Sequence, residues 1–309
     1  MKIECLKEKF GDALSKTEKI TGKNLTLPVL SCVLLEAKQK NLTLRATNLD
    51  LGIEIVLPVK VVEDGTVAVP GGILSSYISN IYTGSNLKIE TEEGSLSVRS
   101  EGVSTLLKTL GHEDFPTIPH IENEAPVRLA PKEFVRGLKA VWYSSAVSSM
   151  KPELSSVYVH SEDGEMVFVA TDSFRLAEKK VRTQKSDVEL GSLLIPFKNI
   201  AEIMRVLEGV QESEVEVHIG NSQIAFRTPG LYLTSRVVEG TFPDYKQIIP
   251  KEAKTEAVIL KEDLLRALKI SNIFSDTFNQ VRVKIDPSAK LMELASRNTE
   301  VGEYTNKIS

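Results

Sequence analysis

Three stretches of the chain carry apolar residues three or four positions apart with charges between them. They are Leu6, Phe10 and Leu14; then Phe134 and Leu138 after Pro131; then Leu264 and Leu268 after Lys261. That spacing gathers the apolar residues on one helical face. Each helix pattern is followed by an alternating, strand-like segment that ends in a polar turn: Leu42–Gly52, Met166–Leu176 and Leu291–Gly302. Ala46, Ala170 and Ala295 hold the same place in these segments, 124 and then 125 residues apart. Matched blocks in the same order at a fixed period mark an internal repeat.

The back halves of the first two repeats also match. Val69-Pro70 opens an apolar, uncharged stretch through Ile81, and Ile195-Pro196 opens a helix-like stretch through Leu207. Proline suits a first helical turn, where its missing N–H has no partner to lose. Both halves then alternate like strands and close on Phe115-Pro116 and Phe242-Pro243. The third repeat has its helix and strand-like Val281–Ile285, Leu291–Ala295 and Val301–Ile308, and the sequence stops there, 57 residues from Ala253. The pattern predicts an α+β fold of three repeated domains, 1–121, 122–252 and 253–309, the last represented by its front half only.

A chain of 309 residues exceeds one ordinary core, which agrees with several domains. Hydrophobic residues make up 41% and charged residues 26%, the balance of a soluble globular protein. No apolar run reaches the ~20 residues of a membrane helix, and the opening MKIECLKEKF lacks the apolar core of a signal peptide. With Cys5 and Cys32 as the only cysteines, a reduced, cytoplasmic setting is expected and the two Asn-Leu-Thr sequons carry no weight.

Net charge is −4, which argues against a protein that coats nucleic acid by bulk charge. The charge is unevenly placed, however. The helix patterns hold Lys7, Lys9, Lys16 and Lys19; Lys132, Arg136 and Lys139; Lys198 and Arg205; and Lys261, Arg266 and Lys269. These 12 basic residues face 8 acidic ones (Glu8, Asp12, Glu18, Glu133, Glu202, Glu208, Glu262 and Asp263), so the helices are positive in a negative chain. Such faces suit backbone phosphates, which carry charge without sequence information; ordinary solvated helix faces have the same composition.

Chemistry-bearing patterns are sparse. The sequence has no phosphate-binding loop of the Walker type, no paired His and Cys spacing for zinc, and no Asp-x-Asp or Ser/His/Asp order for catalysis. His112, His120, His160 and His218 are scattered and expected at the surface. The expectation is a non-enzyme with no cofactor and no metal.

Three motifs carry a resemblance: Thr26-Leu-Pro-Val-Leu30, Ala170-Thr-Asp-Ser-Phe-Arg-Leu-Ala177, and Phe242-Pro-Asp-Tyr245 running on to Ile249-Pro250. With the repeat in register, the chain resembles the bacterial beta sliding clamps, the processivity subunits of the replicative DNA polymerase. The resemblance implies the DNA-clamp fold, with helices lining an inner surface, antiparallel sheets outside, and a head-to-tail ring of two subunits. It makes the twelve basic residues above candidates for contact with duplex DNA, and adds Lys23 and Asn24 on the loop after the first helix. It implies a cleft for short partner peptides at Leu154, Thr171, Phe174, Arg175, Leu176, Pro243 and Ile248; Leu154, Leu176 and Ile248 also read as ordinary core. Where this chain has Ser173-Phe174 the family usually has Gly-His, so Phe174 enlarges the apolar surface. The ring joint implied is Ile73, Tyr77, Ile78, Ile81 and Leu107 against Ile273, Phe274, Glu300 and Glu303 of a second subunit; the uncharged helix is equally consistent with burial in its own domain. Expected partners are duplex DNA, the polymerase catalytic subunit, the clamp loader, other DNA-processing and repair proteins bearing clamp-binding peptides, and a second copy of the chain, with no membrane. A short third domain leaves a monomeric, clamp-like interaction protein as the alternative.

Overall fold

The computed structural model describes residues 1–22, 26–121, 126–148, 150–182 and 190–308. The chain divides into two compact units, Met1–Phe242 and Pro243–Ser309.

The first unit contains two of the repeats. The first repeat runs β1 (Lys2–Leu6), α1 (Lys7–Glu18), β2 (Cys32–Lys38), β3 (Asn41–Thr47), β4 (Leu51–Pro58), β5 (Lys60–Glu63), β6 (Gly65–Pro70), α2 (Gly71–Ser79), β7 (Asn86–Glu92), β8 (Ser95–Ser100) and β9 (Val103–Lys108). The second runs β10 (Val127–Leu129), α3 (Pro131–Val141), β11 (Ser156–Glu162), β12 (Glu165–Thr171), β13 (Leu176–Arg182), β14 (Leu193–Pro196), α4 (Phe197–Glu208), β15 (Val215–Ile219), β16 (Gln223–Thr228) and β17 (Leu231–Arg236). The order is the same in both, apart from the extra β5. Pro70 and Pro196 stand one residue ahead of α2 and α4, where they end a strand and set the helix entry.

All strand pairs are antiparallel, in sheets ordered β5-β1-β7-β8-β9, β10-β15-β16-β17-β4-β3-β2-β6 and β13-β12-β11-β14. The eight-stranded sheet crosses from one repeat to the other. In it β17, from the back half of the second repeat, pairs with β4, from the front half of the first, with Leu231 opposite Ile55 and Ser235 opposite Leu51. The two repeats therefore share a sheet, and the division of the chain into compact units falls at Phe242.

The helices bury the faces their spacing predicts: Phe10, Ala13 and Leu14 of α1, Phe134, Val135, Leu138 and Val141 of α3, and Ile200, Ile203 and Leu207 of α4. Phe134 lies edge-on to Phe168 of β12 at 5.4 Å and tilted against Phe226 of β16 at 5.3 Å, joining two sheets through one side chain. A glycine inside a helix costs ~1 kcal/mol relative to alanine. Gly137 is nonetheless required in α3, because a Cβ there would stand 2.3 Å from the Phe168 ring.

The second unit has α5 (Lys261–Ile273) against a three-stranded sheet of β18 (Arg282–Asp286), β19 (Leu291–Asn298) and β20 (Gly302–Ile308), in that order. Ala267 and Leu294 are buried there, while Leu265 and Leu268 are 45% and 38% exposed. Cys5 and Cys32 are free thiols, and burial pushes Cys5 up to about 12. His218, expected at the surface, is 3% exposed, because it lies on β15 in the middle of a sheet.

Candidate functional site

In the first unit the helices form a connected row. α1 packs on α2 and α3 packs on α4. Arg205 of α4 ties these pairs together: its guanidinium donates to Ser15 O at 3.1 Å, to Lys16 O at 2.8 Å and to Glu202 at 2.6 Å. Lys16 reaches back to Gly209 O at 3.3 Å and to Asp12 at 2.7 Å. The carbonyls involved lie at the ends of α1 and α4, which carry the negative ends of the helix dipoles. Arg205 and Lys16, expected to face DNA, are thus committed to holding helices together. Lys198 is held by Asp50 at 2.5 Å, Lys139 pairs with Glu208, Arg136 with Glu133 at 2.5 Å and Lys19 with Glu18 at 3.3 Å. Lys9 and Lys132 are exposed and Lys7 is half-buried; among the described residues none of the three has an ion pair. The same holds for Lys261, Arg266 and Lys269 of α5, described with the second unit. Lys23 and Asn24 lie outside the described residues.

The turn after β12 is built by side chains on backbone. Thr171 donates its hydroxyl to Arg175 O at 2.7 Å, and one carboxylate oxygen of Asp172 accepts the amides of Phe174 and Arg175 at 2.9 and 3.0 Å. Desolvation raises the Asp172 pKa, but those two amides and the Arg175 guanidinium outweigh it and hold the carboxyl below its ordinary range. Ser173 is left-handed, with φ of +76°. The result is that Phe174 stands 97% exposed at the tip. Leu176 and Arg175 remain accessible beside it, whereas Leu154 and Thr171 are buried. In the second unit Pro243 is exposed and Ile248 is 68% exposed.

The expected joint residues divide. Ile73 is 60% exposed and Tyr77 half-buried on α2, while Ile78 and Ile81 are buried in the hydrophobic core. On β9 the alternation turns Leu107 inward against that core, and Leu106 is the one that faces out, at 58% exposure. Leu106 therefore takes the outward place expected for Leu107, and β9 is the outer strand of its sheet. In the second unit Ile273 is 64% exposed, Phe274 stacks on Tyr304 at 5.9 Å, and Glu300 and Glu303 are exposed at the start of β20, also an outer strand.

Tandem repeats of antiparallel sheets, joined edge to edge and faced by a row of helices bearing free lysines, make up the DNA-clamp fold. Comparison with known proteins agrees. The family model of the DNA polymerase III beta subunit N-terminal domain matches residues 1–119, and that of its central domain matches 128–244. The curated beta sliding clamp of Staphylococcus epidermidis is 24% identical over 100% of this chain and 84% of its own length; that of Synechococcus elongatus is 24% identical over 98% and 82%. Among solved structures, the Pseudomonas aeruginosa DnaN sliding clamp bound to griselimycin superposes with a TM-score of 0.89 at 25% identity, covering 100% of this chain and 84% of that one. The Bacillus subtilis DNA polymerase sliding clamp gives 0.89 at 22% identity and shares the fold. The chain belongs to the bacterial beta sliding clamp family, whose members are non-catalytic processivity factors.

Proposed function

We propose that the protein holds the replicative polymerase on duplex DNA as part of a closed ring, with a second copy of itself as ring partner. The observation that carries this reading is the β4–β17 pairing. The second and third repeats have front-half strands equivalent to β4, namely β13 and β20, and the first repeat has a back-half strand equivalent to β17, namely β9. Where β4 meets β17 the sheet is continuous. By the same rule β9 of one subunit pairs with β20 of another, a heterologous contact that generates a ring when the rotation closes. Leu106 and Ile73 then meet Ile273, Phe274, Glu300 and Glu303.

The unpaired lysines Lys7, Lys9, Lys132, Lys261 and Lys269, with Arg266, supply phosphate attraction that permits sliding. Lys19, Arg136, Lys139 and Lys198 add charge already shared with carboxylates. The turn that displays Phe174, with Arg175 and Leu176, receives short apolar peptides of the polymerase, the clamp loader and repair proteins; the family resemblance adds Pro243 and Ile248 of the second unit to that role. Such a ring works in the cytoplasm, on the chromosome. Domains of 1–121, 122–252 and 253–309 describe this assembly as three repeats.

A Leu106→Asp variant tests the joint. Its charge would sit in an apolar strand pairing, at a cost of a few kcal/mol, enough to shift a dimer constant by about 100-fold or more. Sedimentation equilibrium should show the wild-type dimer reduced to monomer. An unchanged dimer would place the joint elsewhere.

A further inference from the structure

The first repeat contains its own version of the turn that displays Phe174. Thr47 donates its hydroxyl to Leu51 O at 2.7 Å, and Asn48 Oδ1 accepts the amides of Asp50 and Leu51 at 3.0 and 2.8 Å. Leu49 occupies the place of Ser173 with the same φ of +76°. A leucine in that region is strained, and strain of this kind collects at ligand clamps. Its side chain is 47% exposed beside a cavity of about 300 Å³. The cavity is lined by Thr47, Leu49, Pro116, Ile118, Thr234 and Arg236, among others.

The far wall is fixed in place. The segment from Pro116 to Ile121 crosses β4 at Gly52, where a Cβ would stand 2.8 Å from Ile118. Tyr232 donates its hydroxyl to Pro119 O at 3.0 Å and accepts the Ile121 amide at 2.9 Å. His120 stacks on the Tyr232 ring at 4.2 Å and contacts Glu54 at 3.0 Å. The mouth has one free charge. Asp50 is neutralised by Lys198 at 2.5 Å, whereas Arg236 is exposed and its guanidinium has no side-chain partner among the described residues. A hollow of mixed polar and apolar lining, with the exposed Leu49 at its edge and one uncompensated cation, offers a place for an apolar group against Leu49 next to an anion.

We propose that this cavity is a second peptide-docking site, taking a branched aliphatic side chain and a neighbouring carboxylate from a short extended segment of a partner protein. Leu49 and Ile118 hold the aliphatic group, and Arg236 holds the carboxylate. A ring built from this chain would then offer a peptide site on each of its first two repeats.

The test uses the full chain with methyl-labelled leucine and isoleucine, titrated with the blocked peptide acetyl-Ala-Leu-Leu-Glu-amide and its glutamine analogue. Saturable shifts are expected at the Leu49, Leu51 and Ile118 methyls. Changing the peptide's glutamate to glutamine should weaken binding about three- to fivefold, as an exposed ion pair would. With Arg236→Gln that difference between the two peptides should vanish. Leu49→Gly, which relieves the left-handed strain and so leaves melting unchanged or raised, should abolish the Ile118 shift. The proposal is overturned if these methyls do not shift, or if the glutamate preference survives Arg236→Gln. It is also overturned if only the Leu154 and Leu176 methyls respond; in that case the site at Phe174 stands and the second site does not exist.

Discussion

Arg205 is a cation on a helix face, and replacing it should damage the fold more than DNA binding. Arg205→Ala removes two hydrogen bonds from a guanidinium to Ser15 O and Lys16 O, and one to Glu202. Hydrogen bonds to a charged group contribute ~1.5–3 kcal/mol when shielded. The guanidinium is 32% exposed, so water takes over part of that stabilisation. A net cost of about 1–2 kcal/mol remains once exposed pairing is discounted. For a unit of this size, a melting shift of about 2–8 °C corresponds. Trp142, the only tryptophan, is stacked on Phe197 at the start of α4 and reports on this unit directly. Its fluorescence through a urea titration should show a lower midpoint for Arg205→Ala. Arg205→Lys should show most of the same destabilisation, since an ammonium cannot fork between two carbonyls. An unchanged midpoint, with DNA affinity reduced, would refute the tether and return Arg205 to the DNA surface.

Lys9→Ala and Lys132→Ala should behave in the opposite way: stability within about 0.5 kcal/mol of wild type, and a salt dependence of DNA binding shallower by about one unit of slope for each phosphate that is no longer neutralised, read by fluorescence anisotropy over a salt series. Gly137→Ala should lower stability by roughly 1–3 kcal/mol, read as a lower urea midpoint, because the added methyl meets Phe168 and overpacking outweighs the gain in helix propensity; a variant as stable as wild type would show that α3 can move away from the sheet.

Much of the architecture is legible in the sequence because the repeat is written in residues that packing constrains. Ala46, Ala170 and Ala295 recur in strands β3, β12 and β19. The helix spacings place Phe10 and Phe134 in the core. Alternation gives two faces to a strand without saying which faces the core, so nothing in the pattern of β9 tells Leu106 from Leu107. The uncharged α2 reads as an interface, yet its Leu74 and Ile78 are needed by its own sheets and Tyr77 is half-buried against them, which leaves Ile73 as its one large apolar side chain facing outward. Charges on α1 and α4 read as one class. Which of them are solvent-facing depends on α1 and α4 meeting end to end, through hydrogen bonds between residues about 190 positions apart. The shared turn is visible in the sequence only as Ala-Thr followed by Asn or Asp. The left-handed Leu49 and Ser173 that make it a display platform emerge only in the backbone.

The central claim is topological, and retention on DNA tests it most directly. The protein, loaded onto nicked circular DNA by a clamp-loading ATPase, is passed over a sizing column before and after the circle is cut once. Co-elution with the closed circle, abolished by linearisation, is the predicted result, with a dimer as the bound species. Retention that is indifferent to cutting, or a monomer that never stays with the circle, would contradict the account.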